Sequence, residues 1–353
     1  MLPEANVTSR EARARLTKRL FPQGLPRLWC PTLTHFAAKG EFDGPRIQRQ
    51  LQFLSPHVKG ALVPGSTGEG WEMSDADVQR LLDVVLDAAR TADIRVLIGV
   101  LKTGLSAMLQ CLEATVAFLQ RRAGVSSVEE ALRYSHVVGF TVCPPKGSHL
   151  NQAALADALT NLLERGLPLA LYQLPQVTGN ELSAETVQAL AARHPGFYLF
   201  KDTSGKDRVA QSNLDYDGVF LVRGAEGDYA RWTKAAGGPY DGFLLSTANV
   251  FARELDAVLQ LLDAGRRDEA QTLAARLSRV VEGCFELVRG FPTGNAFTNA
   301  NKILDHLMAH GEAGLRREPP LLYSGVRLPA TFVESAAGLL RQNGLMPATG
   351  YLD

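Results

Sequence analysis

Residues 197–205 read FYLFKDTSG. Phe197, Tyr198, Leu199 and Phe200 run without interruption into Lys201, and a polar turn closing on Gly205 follows. A run that is apolar at every position, not at alternate ones, is a strand covered on both faces, as in a parallel sheet flanked by helices. A lysine ending such a strand has two readings. It caps the strand by pairing with Asp202 or another carboxylate, or it is an amine kept from water for chemistry. Burial disfavours the charged form, and a neutral amine attacks carbonyls to give a Schiff base.

Working outward, the same kind of run recurs at 27–34 (RLWCPTLT), 60–65 (GALVPG), 95–101 (RVLIGVL), 137–145 (VVGFTVCPP), 167–175 (LPLALYQLP), 219–224 (VFLVRG) and 241–247 (DGFLLST). With 197–202 this makes eight candidate strands. Helical patterns lie between them, two with clear starts: Ser74 before DADVQRLL and Ser183 before AETVQALA are N-cap residues. Strands alternating with helices imply crossovers and a parallel sheet. Eight units favour an α/β fold of the closed (β/α)8 TIM-barrel type over an open doubly wound sheet. After Asn249 only helices are expected, over 250–264, 266–289, 297–310 and 330–343. The division expected is an N-terminal helical extension (1–26), a barrel (27–248) and a C-terminal helical extension (249–353). In the first part, Ala12, Leu16 and Leu20 predict a short amphipathic helix over 11–20.

Composition narrows the function. The 353 residues carry 37 basic and 37 acidic side chains, so no net charge draws the chain to nucleic acid or an anionic membrane. A small molecule is the expected partner. No stretch approaches the ~20 apolar residues that span a bilayer. The first residues lack an apolar signal-peptide run, and Glu4 and Glu11 interrupt what would otherwise resemble a basic transit peptide. Cys30, Cys111, Cys143 and Cys284 are scattered, without C-x-x-C or zinc-like spacing. These features lead us to expect a cytoplasmic protein. His306 and His310 have a ligand-like i, i+4 spacing, but no H-E-x-x-H glutamate accompanies them, and no metal site is expected.

In a barrel, chemistry gathers at the C-terminal ends of the strands, where Lys201 lies. Tyr172 occupies a matching height on the preceding strand, about 4.8 Å away between neighbours. It is either packing with a satisfied hydroxyl or a proton relay. The segment 64–70, PGSTGEG, follows the second strand. It is either a plain tight turn or a nest whose backbone N–H groups face a carboxylate, with Ser66 and Thr67 adding hydroxyls. It is neither a Walker loop nor a dinucleotide turn. Trp71 next to it either lines the site or packs on a helix, and 291–302 (FPTGNAFTNANK) is expected to be a structural connection.

Taken together, GSTGEG, YQLP and FKDTSG resemble the motifs of the pyruvate-dependent class I aldolase family that includes dihydrodipicolinate synthase and N-acetylneuraminate lyase, in that family's order. The resemblance spans roughly residues 28–310. It implies that Lys201 is the Schiff-base lysine and Tyr172 the proton relay. It further implies that Ser66 and Thr67, in a turn shaped by Gly65 and Gly68 and anchored by Glu69, hold a 2-oxo acid carboxylate. The partners it implies are pyruvate or another 2-oxo acid and an aldehyde, with no cofactor beyond the lysine, in a homo-oligomer (tetramer or dimer).

Departures from the family pattern bear on the substrate. Val177 stands where the synthases place an arginine for the second substrate's carboxylate. Pro145 and Lys146 stand where they place paired tyrosines, one serving a neighbouring subunit's relay. Both argue against dihydrodipicolinate synthesis. Glu226, in RGAEGDY (223–229), either binds a substrate hydroxyl, as one of the lyase branch's two acids does, or is a solvated loop acid. Lys146 is either a contact for a substrate anion or a solvated lysine. The expected activity is a lyase acting on a 2-keto-3-deoxy sugar acid or a similar compound. The alternatives are a hydro-lyase using the same imine and a non-catalytic 2-oxo acid binder. The segment 121–139 exceeds what the family needs and is expected to serve subunit contacts.

Overall fold

The computed structural model describes residues 7–353; Glu4 lies outside them. Eight parallel strands close into a barrel in sequence order. They are β1 (Leu28–Pro31), β2 (Gly60–Val63), β3 (Arg95–Val100), β4 (Val137–Val142), β5 (Leu169–Gln173), β6 (Phe197–Asp202), β7 (Phe220–Arg223) and β8 (Gly242–Leu244). All eight expected strands form; seven are shorter than the expected runs, and β6 spans 197–202 in full. Beyond Pro31 the chain leaves the ladder, and the Leu33 N–H goes to the Asn249 side chain at 2.9 Å. Beyond Val142 come Pro144 and Pro145, which have no N–H to give.

Two faces of each strand build two cores. Outward residues such as Cys30, Val63, Ile98, Phe140, Leu171 and Phe200 pack under the helices. Inward residues Trp29, Leu62, Leu97, Val138, Ala170, Leu199, Val222 and Leu244 fill the barrel floor. The period of two along β6 then carries Lys201, two residues beyond Leu199, into the barrel's upper interior. Ser74 and Ser183 cap their helices by accepting from the N–H groups of Asp77 and Thr186.

The closing seam pairs only Leu28 and Trp29 with β8. Asn249 reinforces it: besides accepting from Leu33, its amide donates to the Pro31 carbonyl at 2.9 Å and the Ser246 carbonyl at 2.8 Å. After β8 come the helices Ala248–Asp263, Arg267–Leu287, Ala296–His310 and Ala330–Gln342, close to the expected spans.

The first helix runs from Ser9 to Leu20 behind a capping box of Thr8 and Glu11. Its buried residue is not one of the apolar stripe but Arg13, whose guanidinium donates to the carbonyls of Ala191, His194, Phe197 and Asp217. Within 121–139, Ser127 caps a helix from Val128 to Tyr134, and Glu129 pairs with Arg19 of the first helix at 3.2 Å. No helix among the described residues is long and apolar enough to cross a membrane, and all four cysteines are free and buried.

Candidate active site

Register brings the two central residues together. Tyr172 on β5 and Lys201 on β6 are paired across the ladder. Both are buried, and the Lys201 Nζ lies 4.1 Å from the centroid of the Tyr172 ring. Desolvation drives the lysine pKa down to about 7, while the nearby Cys143 thiol, the Glu226 carboxylate and the Cys30 thiol pull it back upward. An amine with that pKa is substantially neutral at physiological pH. Burial pushes the Tyr172 phenol above its ordinary value, the Cys143 thiol adds to the rise, and the Ser66 and Thr203 hydroxyls offset part of it.

The lysine stem needs room, and Gly224 at the end of β7 supplies it. A Cβ at that position would meet Thr203 Oγ1 at 2.3 Å and Lys201 Cε at 2.7 Å. The sequence reading did not single out this glycine.

The Gly65–Gly70 turn sits above β2. Its Gly68, Glu69 and Gly70 N–H groups close the turn on the carbonyls of Gly65 and Ser66. Among the described residues the N–H groups of Ser66 and Thr67 have no protein acceptor, so both are free for an anion. A Cβ on Gly68 would stand 2.6 Å from the Thr32 carbonyl, so the turn lies against the end of β1. Trp71 Nε1 donates to Ser66 Oγ at 2.8 Å.

The partner of Glu69 is now visible. This residue sits at φ +63°, an uncommon conformation for a side-chain-bearing residue. Its carboxylate takes Lys302 Nζ at 2.5 Å, an ion pair with both side chains buried, and the Tyr323 N–H at 2.7 Å. The same helix braces the turn from behind. Thr298 Oγ1 donates to the Ser66 and Thr67 carbonyls at 3.1 and 3.0 Å, and Asn295 Nδ2 to the Ser66 carbonyl at 3.0 Å. The segment expected to be a mere connection is thus the support of the turn. Its signal in the sequence is a polar stripe, Asn295, Thr298 and Lys302, on one face of a helix.

Glu226 is half-buried at the mouth of β7. Its carboxylate accepts from Ser246 Oγ at 2.6 Å, Thr247 Oγ1 at 2.6 Å, Tyr229 Oη at 3.0 Å and the Thr247 N–H at 3.2 Å. It is neither a solvated loop acid nor a free one: four donors hold it, and it acts on Lys201 as a fixed negative charge. The loop carrying it is fixed by Arg223, which donates to the Ala225 and Gly227 carbonyls and pairs with buried Asp207 at 3.0 Å.

Val177 joins Trp71, Cys143, Tyr172 and Leu174 in an apolar wall beside the phenol. Lys146 is exposed, and its backbone N–H bonds to the Thr103 carbonyl. His306 and His310 lie edge to face 5.1 Å apart, and His306 Nε2 is 2.9 Å from the Gly314 carbonyl. Among the described residues no three His, Cys, Asp or Glu side chains gather as a metal site.

With this geometry in place, likeness to known proteins can be weighed. A profile of the dihydrodipicolinate synthetase family matches residues 25–294. The chain is 33% identical over 258 residues to a 4-hydroxy-tetrahydrodipicolinate synthase of Xanthomonas axonopodis pv. citri, covering 71% of this chain and 77% of that one. It is 24% identical over 264 residues to an N-acetylneuraminate lyase of Salmonella paratyphi B, covering 74% and 82%. In fold it is similar to a prophage protein of E. coli K12 from the dihydrodipicolinic acid synthase family, solved in complex with pyruvate. That likeness has a TM-score of 0.68 at 19% identity over 91% of this chain and 99% of that one.

Proposed function

The chain belongs to the dihydrodipicolinate synthetase family, and we propose that it is a Schiff-base-forming lyase that cleaves or forms a carbon–carbon bond between a 2-oxo acid, pyruvate in the first instance, and an aldehyde. The observation that carries this reading is the buried Lys201 amine, 4.1 Å from the centre of the Tyr172 ring, near a turn with two unclaimed N–H groups.

The free N–H groups of Ser66 and Thr67 hold the substrate carboxylate, which places the C2 ketone toward Lys201. Neutral Nζ attacks C2, and a proton passes from nitrogen to the new alkoxide. The carbinolamine hydroxyl then takes the Tyr172 proton and leaves as water, giving an iminium and a phenolate. In the cleavage direction the phenolate removes the C4 hydroxyl proton, the C3–C4 bond breaks, and its electrons move into the iminium to form an enamine. An aldehyde departs. Protonation of the enamine and hydrolysis return pyruvate and the amine. The lysine is the electron sink, so the scheme needs no further cofactor.

The acceptor side favours a substrate other than that of the synthase. Val177 and the apolar wall offer no charge for a second carboxylate, and Pro145 and Lys146 replace the tyrosine pair. A 2-keto-3-deoxy sugar acid is the substrate class we assign. The test is to supply a panel of such acids and follow products. Release of pyruvate and an aldehyde supports the lyase. Loss of water with the carbon chain intact reassigns the enzyme as a hydro-lyase on the same imine. No turnover of any 2-oxo acid, in either direction, leaves a 2-oxo acid binder and sinks the catalytic reading.

A further inference from the structure

We propose that a cavity at the N-terminal end of the barrel, opposite Lys201, is a second small-molecule site, and that its ligand is a carboxylate on an aromatic or branched aliphatic body. This site stands independently of the Schiff-base reading above.

The cavity has a volume of about 340 Å³, within the range of small-molecule pockets. It lies under the starts of β3, β4 and β5, at Arg95, Val137 and Pro168. Pro168 precedes Tyr172 on the same strand by four residues, so the two sites are about 13 Å apart along β5. Two further segments wall it: the end of the first helix, with Arg19 and Leu20, and the helix Val128–Tyr134. The Arg19–Glu129 ion pair ties these walls to each other.

The lining has two chemistries. Leu20, Val128 and Leu167 are only half-buried, and with Leu132 they present hydrocarbon to the cavity. The guanidiniums of Arg19, Arg95, Arg133 and Arg165 line it against one carboxylate, that of Glu129. Arg19 is paired with Glu129, and Arg165 with Glu113 at 3.2 Å. Among the described residues Arg95 and Arg133 pair with no carboxylate; Arg133 has only the exposed ring of Tyr134, 5.1 Å from its Cζ. Arg95 is half-buried and stands two residues before inward-facing Leu97, which turns its stem to the barrel side of β3. A partly desolvated guanidinium without a counter-charge favours an oxyanion, and its fork takes a carboxylate through two parallel hydrogen bonds. The hydrocarbon walls add a requirement that pyruvate and inorganic ions do not meet, an apolar body to bury.

The test is calorimetric titration of the full chain with 4-phenylbutyrate, 4-phenylbutanol and inorganic phosphate, each with pyruvate at saturation. We expect one saturable site for phenylbutyrate, with the alcohol and phosphate each at least about 10-fold weaker. Arg95→Gln and Arg133→Gln should each weaken phenylbutyrate binding about 10-fold. Arg133 is exposed, which keeps the test available if Arg95→Gln folds poorly. Val128→Trp fills the cavity from the helix side and should abolish binding. Absence of a saturable phenylbutyrate site overturns the proposal. Equal binding of the alcohol overturns it by making the cavity merely apolar, and equal binding of phosphate by making it a bare anion patch. Displacement of phenylbutyrate by pyruvate puts the ligand at the catalytic end and overturns it as well. If sedimentation shows that Val128→Trp breaks up an oligomer instead, a second copy covers the cavity and the proposal falls.

Discussion

Tyr172 and Lys201 are register partners on adjacent parallel strands, and the lysine nitrogen sits 4.1 Å from the centre of the tyrosine ring. Two effects oppose each other there. The face of an aromatic ring favours an ammonium by about 0.5–2 kcal/mol. Complete burial disfavours it, and burial wins, leaving a pKa of about 7.

The pH dependence of imine formation follows. The nucleophile is the neutral amine, so the rate of adduct formation with pyruvate should rise with pH and level off above a midpoint near 7. Rapid-quench trapping across pH 5.5–8.5 measures it. A midpoint near the ordinary lysine value would contradict the burial argument.

Stability gives an independent check on the same group. The folded pKa of Lys201 lies below the unfolded value of 10.5, so between about 7 and 10.5 the unfolded chain binds the extra proton. Stability therefore rises with pH over that window, and the penalty for burying this amine is at its full size below about 7. Lys201→Met should be more stable than wild type at pH 6, by a few kcal/mol at most, with the gain shrinking toward pH 10. Urea unfolding at a series of pH values reads it. A variant less stable at pH 6 would contradict the expectation.

Tyr172→Phe keeps the ring over Lys201 and removes the phenol. Turnover should fall by about 10²–10⁴-fold, the range for losing a general acid–base group, while the lysine midpoint near 7 stays in place. A variant with near-normal turnover would mean that the proton comes from elsewhere.

Gly224→Ala would place a methyl 2.7 Å from Lys201 Cε. The barrel should still fold, because β7 ends one residue earlier at Arg223, but the lysine must move. We expect at least a 10-fold loss in trapping with little change in thermal unfolding. Trapping at the wild-type rate would show that the stem has room to spare.

Removing one member of the buried Glu69–Lys302 pair leaves a charge without compensation. Lys302→Met should cost about 3–5 kcal/mol, and the Glu69→Gln/Lys302→Met double variant should recover a large part of it. A double-mutant cycle in urea measures the coupling. Additive losses would mean that the two side chains do not act as a pair.

Much of the fold was legible because a barrel strand announces itself locally. FYLFKD, LALYQ and RVLIGV each carry an unbroken run of apolar residues, and each became a strand. The convergence of Lys201 and Tyr172 was legible for the same reason, since both stand at the end of such a run. What local pattern could not carry was partnership across long separations. The carboxylate of Glu69 meets Lys302 from a helix 233 residues later in the chain. Arg13, off the apolar stripe of Ala12, Leu16 and Leu20, is buried against the carbonyls of Ala191, His194, Phe197 and Asp217, nearly two hundred residues away. The role of Gly224 depends on a neighbour's position in space, which no spacing in the sequence encodes.

The central claim is that Lys201 forms a covalent imine with a 2-oxo acid. Incubation with pyruvate and borohydride, followed by intact mass and peptide mapping, tests it most directly. The account predicts a reduced pyruvate adduct on the peptide carrying Lys201 in the wild-type protein and none in Lys201→Ala. A folded wild-type protein that gains no mass, or that gains it on another lysine, would contradict the account.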